Sequence, residues 1–229
     1  MTLFSIYQKL LAEYGPQQWW PAETPFEVMV GAILTQNTAW TNVEKSIAQL
    51  KRGGHMCPPY TSQLTPQAID QLPHDELGEL IRASGYFNVK ATRLKNFCHW
   101  YLEQGGYDAL NRLDTASLRQ GLLSVNGIGP ETADDMMLYA FNRPIFVVDA
   151  YTRRIFSRLS FVDDAIKYES LREKFEQEFI GKRKRMGIDE RVAHYNEYHA
   201  LIVVHGKGFC RTKPRCGECC LRGQCEHLK

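Results

Sequence analysis

Four groups of residues have types and spacings that could do chemistry. Near the end of the chain, Cys210, Cys216, Cys219 and Cys225 follow the pattern C-x5-C-x2-C-x5-C. Four thiolates in one short loop suit a metal centre, and both zinc and a 4Fe–4S cluster accept such a set. Zinc ribbons usually carry paired C-x2-C knuckles. The single pair here, with widely spaced flanking cysteines, favours the iron–sulfur cluster. Cys220 is the spare thiol and is read as a non-ligand; Cys57 and Cys98 stand alone. In mid-chain, Ser124–Asp135 reads SVNGIGPETADD. Gly127 and Gly129 permit a close backbone approach, and Pro130 can open a helix without wasting an N–H. Free N–H groups at that helix start suit one phosphate. The lysine and longer glycine loop of a nucleotide-binding P-loop are absent, so the expected ligand is a nucleic-acid backbone phosphate, held without sequence readout. Asp149 follows a short apolar run and precedes a helical pattern, which suits an N-cap. Trp19-Trp20-Pro21 and, further on, Trp40 place several indoles early in the chain.

The elements that must position these residues read as helices. Leu3, Tyr7, Leu10, Leu11 and Tyr14 recur at helical spacing. Thr24-Pro-Phe-Glu27 is a capping box with proline at the first helical position. The helix it opens, Phe26 to Thr35, is apolar almost all round and should be buried and central. Thr41-Asn-Val-Glu44 reads as a second capping box, opening a helix with Val43, Ile47 and Leu50 inward. Further helices are expected near 66–72, 75–83 and 89–104, with Gly85 as a stop. Asp114 or Thr115 should cap a helix carrying Leu118 and Leu122. Ala133, Met136, Met137, Ala140 and Phe141 mark the second helix of the Gly127–Gly129 hairpin. Ile155, Phe156 and Leu159 face inward after Asp149, and later helices should cover 168–180 and 190–205. No strand pattern is evident, so the expected class is all-α.

Hydrophobic residues make up 44% of 229, enough for a sizeable core. No apolar run approaches the length of about 18 residues that a membrane span needs. The N-terminus lacks a secretory pattern, so a cytoplasmic protein without membrane association is expected. Net charge is +2 and does not by itself announce a nucleic-acid binder. Local charge says more. Lys182–Arg185 is a basic run, Arg153, Arg154 and Arg158 follow Asp149, and Lys207, Arg211, Lys213, Arg215 and Arg222 surround the cysteine loop.

A G-I-G hairpin, an aspartate about twenty residues on in VVDAYTRRI, and a terminal four-cysteine loop occur in that order. With TPFEVMVGAILTQNT and GYFNVKA, the combination resembles the endonuclease III family of helix–hairpin–helix DNA glycosylases over nearly the whole chain. The first cysteine gap departs from the family, with five residues where six are usual. The resemblance implies two helical domains with a DNA-binding cleft, roughly 22–133 with the hairpin, and 1–21 plus 134–229 with the cluster loop at 210–225. It implies a 4Fe–4S cluster on Cys210, Cys216, Cys219 and Cys225, and double-stranded DNA containing a damaged base as partner. A monomer associated with the nucleoid is expected.

The same resemblance makes Asp149 the catalytic carboxylate, stabilising positive charge on the sugar and orienting water. Bifunctional members carry a lysine in a G-x-G-x-K-T pattern; here Gly127-Ile-Gly-Pro-Glu131-Thr puts Glu131 in its place. A carboxylate cannot form the imine that strand cleavage needs, so a monofunctional glycosylase is expected. Glu131 is then an exposed first-turn acid or a contact to pocket water. Trp20, Pro21 and Trp40 resemble the base sandwich of the 3-methyladenine branch, whose cationic alkylated purines attract electron-rich indoles. Lys207 resembles a pocket lysine of that branch, with a surface phosphate contact as its other reading. By family position, Asn37 fills the gap left by the flipped base and Tyr86 wedges the opposite strand. Ala32 stands where adenine-mismatch enzymes place a glutamate. The remaining alternatives are a mismatch or oxidised-pyrimidine glycosylase and a non-catalytic binder of damaged DNA.

Overall fold

The computed structural model describes residues 2–52, 64–182 and 186–228; Cys57 and residues 183–185 of the basic run lie outside them. Among the described residues the chain is all-α, with no strand. The α-helices are α1 Leu3–Tyr14, α2 Pro25–Leu34, α3 Trp40–Arg52, α4 Pro66–Gln71, α5 His74–Leu80, α6 Phe87–Glu103, α7 Gly106–Asn111, α8 Thr115–Ser124, α9 Pro130–Asp135, α10 Ala150–Arg158, α11 Tyr168–Lys182 and α12 Ile188–Gly208. None is long and apolar enough to cross a membrane. The chain divides into two compact units, Trp20–Phe141, and Met1–Trp19 with Asn142–Lys229.

In the Trp20–Phe141 unit, α2 is the central rod. Every residue from Phe26 to Leu34 is buried, each large apolar side chain contributing about 1.5–3 kcal/mol before entropy is counted. Thr24 caps the helix by accepting from the Glu27 N–H at 3.1 Å, and Pro25 occupies the first position. The Glu27 carboxylate is buried, and it pairs with Lys51 at 2.8 Å. A buried carboxylate needs such a partner.

Two local expectations are corrected here. The box at Thr41 does not form, because α3 begins one residue earlier, at Trp40. Glu44 instead accepts from the Trp40 indole N–H at 3.0 Å, one helical turn away. The second hairpin helix is not uniform either. It is α-helical through Asp135 and then widens into a π-turn at Met136–Ala140, closed by the Phe141 N–H on the Met136 carbonyl at 3.1 Å. That extra residue per turn leaves Tyr139 half-buried while its four neighbours in the turn are buried. Such bulges often mark functional positions.

In the other unit, α1 packs on α11 and α12, and α10 packs on α12. An aromatic core joins them: Phe146 stacks on Phe175 at 4.1 Å, Phe156 meets Phe175 edge-on at 4.8 Å, and the buried Tyr198 donates to the Leu3 carbonyl at 2.8 Å. Ile145–Val148 is buried without belonging to any sheet. The Phe146 N–H donates to Glu176 at 3.0 Å, the Val148 N–H to the Tyr168 hydroxyl at 3.4 Å, and the Ile145 N–H to the Arg143 carbonyl at 2.8 Å. This apolar tether delivers Asp149 to the start of α10.

Candidate active site and cysteine loop

Asp149 is both a helix cap and a half-buried carboxylate. Its Oδ1 accepts from the Thr152 N–H at 2.7 Å and the Thr152 hydroxyl at 2.8 Å, capping α10. Its Oδ2 is left for other work and lies 3.6 Å from Nε2 of His199 on α12, an electrostatic contact longer than a normal hydrogen bond. Burial alone would raise the Asp149 carboxyl. The His199 imidazole and then the two Thr152 donors outweigh it, and the group is held below its ordinary value. An ionised carboxylate with one oxygen fixed and one presented can stabilise positive charge or orient a water. Nothing about His199 stood out in the sequence. It is one of three buried histidines on α12, with His194 and His205, and histidine is less often fully buried than the apolar residues.

Helix α10 also reaches the cysteine loop. Arg154 donates to the carbonyls of Cys210 at 2.7 Å and Gly206 at 3.3 Å, and lies over the Tyr151 ring. Arg158 donates to Cys210 Sγ at 3.4 Å and to the Thr212 carbonyl at 3.2 Å. Cys210, Cys216, Cys219 and Cys225 line one small pocket that opens to solvent, and Cys220 does not line it. Cys220 contacts Tyr14 instead. Among the described residues, no three His, Cys, Asp or Glu side chains are grouped closely enough for a single metal ion. Four thiols around one pocket are a donor set that suits either zinc or an iron–sulfur group.

A chain of contacts through the buried His205 backs one of these thiols. The Tyr14 hydroxyl lies 2.8 Å from His205 Nδ1, and His205 Nε2 lies 3.6 Å from Cys219 Sγ. Burial, followed by Cys220, pushes the Tyr14 phenol up, so it keeps its proton and donates to Nδ1. Burial pushes the His205 imidazole down to about 4, so it is neutral with its proton on Nε2, facing the sulfur. Burial and the neighbouring cysteines raise the Cys219 and Cys225 thiols. Lys207 is exposed, its ammonium 5.6 Å from the Trp19 ring.

In the Trp20–Phe141 unit, Trp20 meets Trp40 edge-to-face at 5.0 Å and 85°, and Tyr139 at 4.9 Å and 50°. Both indoles rest on Gly31 of α2, where a Cβ would lie 3.4 Å from Trp20 and 3.6 Å from Trp40. The expected sandwich is therefore not preformed. Rings in edge contact leave no slot between them. Pro21 is exposed. Tyr139 has no signature in the sequence, because a regular helix gives no reason to single it out; the π-turn does.

Gly127 has φ 98°, and a Cβ there would come within 2.3 Å of Arg93. Gln36 ties this turn to α2, donating to the Gly127 carbonyl at 3.1 Å and the Thr132 hydroxyl at 2.9 Å, while Arg93 donates to its side-chain oxygen. Gly129 and Glu131 are exposed, Glu131 in the first turn of α9. Asp134 is fully buried in a two-bond pair with Arg119 at 2.6 and 3.1 Å, anchoring α9 to α8. Asn37 and Tyr86 are both exposed, and both have left-handed backbone, φ 54° and 48°.

Residues 30–179 match the family described as HhH-GPD superfamily base excision DNA repair protein. A protein of Methanocaldococcus jannaschii, provisionally named a DNA repair glycosylase, is 45% identical over 97% of this chain and 95% of its own length. Endonuclease III of Sulfolobus acidocaldarius is 26% identical over 97% of this chain and 94% of its own. Among solved structures, the 3-methyladenine DNA glycosylase MagIII of Helicobacter pylori, bound to 1,N6-ethenoadenine, is similar with TM-score 0.76 and 27% identity over 90% of this chain and 98% of that one. An endonuclease III–DNA complex shares the fold with TM-score 0.76, covering 99% of this chain and 96% of that one.

Proposed function

Because the chain belongs to the HhH-GPD superfamily of base excision DNA repair proteins, we propose that it is a monofunctional DNA glycosylase that hydrolytically removes alkylated purines. The observation that supports the substrate class is the aromatic group of Trp20 and Trp40 on Gly31 with Tyr139 against Trp20, beside the likeness to a 3-methyladenine glycosylase. An N3- or N7-alkylated purine is cationic and electron-poor. An indole face favours it by roughly 0.5–2 kcal/mol, and its positive charge already weakens the glycosidic bond.

In this reading the damaged nucleotide leaves the stack, and the duplex backbone is held at Gly127 and Gly129. Departure of the base builds positive charge on the sugar. Asp149 Oδ2 stabilises that charge and orients a water. Glu131 stands in the first turn of α9, where a lyase would carry its amine. With no amine there, the released sugar stays attached to an intact strand. Cys210, Cys216, Cys219 and Cys225 would hold a 4Fe–4S cluster, which knits the loop together. The cations Lys207, Arg211 and Arg215 then face phosphate.

Free base released from defined oligonucleotides tests the reading. Release of 3-methyladenine or 7-methylguanine, abolished by Asp149→Asn, is the expected result. Release of oxidised pyrimidines alone would replace alkylpurine by the specificity of the endonuclease III relatives. A borohydride-trapped protein–DNA adduct would overturn monofunctionality. About four irons per chain, lost on Cys→Ser substitution, is the expected cofactor result; one zinc would refute it.

A further inference from the structure

Lys90 is a buried cation that this reaction does not use. It is 1% exposed. A buried ammonium is ordinarily matched by a carboxylate. Lys90 instead donates to two backbone carbonyls, Leu34 at 2.8 Å and Ser84 at 2.6 Å. Burial, and then the Arg93 guanidinium, push Lys90 down to about 8. Leu34 ends α2, where carbonyls lack helical partners and the dipole favours a positive charge. Ser84 ends the short 3-10 turn before α6.

The residues downstream of the two carbonyls give the contact its meaning. Asn37 comes three residues after Leu34, and Tyr86 two residues after Ser84. Both are exposed, Tyr86 at 70%. Both hold left-handed backbone, a conformation that costs a non-glycine residue about 1–3 kcal/mol and persists only where the surroundings over-determine it. One ammonium thus fastens the backbone just upstream of both, and Gln36 joins the first of them to the hairpin.

We propose that Lys90 is a positioning residue that holds Asn37 and Tyr86 in register, so that the two act on the DNA duplex as one unit. The proposal rests on reading Asn37 as the residue that fills the vacated gap and Tyr86 as the wedge. It explains why the cation is spent on carbonyls: a carboxylate partner would satisfy the charge without joining the two turns.

The test measures affinity for a duplex carrying a tetrahydrofuran abasic analogue and for the same duplex intact, below the thermal midpoint of each variant. This probe does not depend on which base is excised. Lys90→Met should cut the preference for the abasic duplex by at least about tenfold, the size of one hydrogen bond to a charged group. Adding Lys90→Met to Asn37→Ala/Tyr86→Ala should cut it no further. Lys90→Gln, which keeps a donor for one carbonyl, should lie between and serves if the Met variant does not fold. Equal losses on both duplexes, or equal losses in both backgrounds, would overturn the strut while sparing the reading of Asn37 and Tyr86. If Asn37→Ala/Tyr86→Ala kept the full preference, that reading would fall and the strut with it.

Discussion

Gly206→Ala is the sharpest perturbation of the Asp149 site, and its size is set by packing. Gly206 lies on α12 where Tyr151 of α10 presses against it. An added Cβ would meet Tyr151 Cδ1 at 2.5 Å and its Cβ and Cγ at 2.8 Å. Carbon contacts settle near 3.5–4.0 Å, so the helices must part locally by about 1 Å. Turning the Tyr151 ring gives only partial relief, because Tyr151 Cβ is fixed to the backbone. Overpacking of this kind costs about 1–3 kcal/mol, and a chain of this length then loses roughly 2–10 °C of thermal midpoint. The functional cost should be larger. Asp149 precedes Tyr151 by two residues and faces His199 on α12 at 3.6 Å. A displacement of about 1 Å at reacting groups can cost on the order of a hundredfold in rate. Thermal unfolding and single-turnover base release measure the two effects. Adding Tyr151→Ala removes the ring contacts but not the Cβ contact, so it should restore only part of each. A Gly206→Ala protein with the original midpoint and rate would refute the steric argument. A lowered midpoint with an unchanged rate would keep the packing and refute its link to Asp149.

Other outcomes are expected. His199→Gln removes the main group opposing burial at Asp149, leaving the Thr152 donors, with Tyr151 the other titratable neighbour. The carboxyl should then take up its proton at higher pH, moving the acid side of the base-release profile upward. The stability from ionised Asp149, present above its unfolded value and lost as pH falls through its folded one, should also be lost earlier; an unmoved profile would deny His199 this role. For Lys90 the sign is opposite to that of a paired cation, because its folded value, about 8, lies below the ordinary 10.5. Between these values the unfolded chain holds a proton that the folded chain has released. Stability relative to Lys90→Met should therefore rise across this window by up to about 3 kcal/mol, and a flat difference in denaturant titrations would show that the ammonium is not desolvated. Tyr139→Leu should weaken quenching of tryptophan emission by free 3-methyladenine about 2–10-fold, the value of an aromatic contact, with Tyr139→Phe recovering most of it; equal binding by all three would remove Tyr139 from the base site.

Much of the helical frame was legible because it rests on local rules. Thr24 with Pro25, Asp114 and Asp149 cap helices as their side chains dictate, and α2 is buried all round because it has no polar face to expose. The box at Thr41 misled because Trp40 and Glu44 satisfy one another one turn apart, starting α3 early. The π-turn at Met136–Ala140 was invisible because an i, i+3, i+4 pattern cannot register one extra residue.

Helical periodicity and local caps were enough to set the all-α class, and the order of hairpin, aspartate and four cysteines was enough to carry the resemblance to a glycosylase family. The partners of those residues could not be read the same way. His199 beside Asp149 is fifty residues away in sequence, Lys90 reaches Leu34 and Ser84 from a third element, and Gly206 matters only because Tyr151 lies against it. Distances of this kind are set by how helices pack, and packing depends on the volumes of both surfaces at once, which no single stretch of sequence contains.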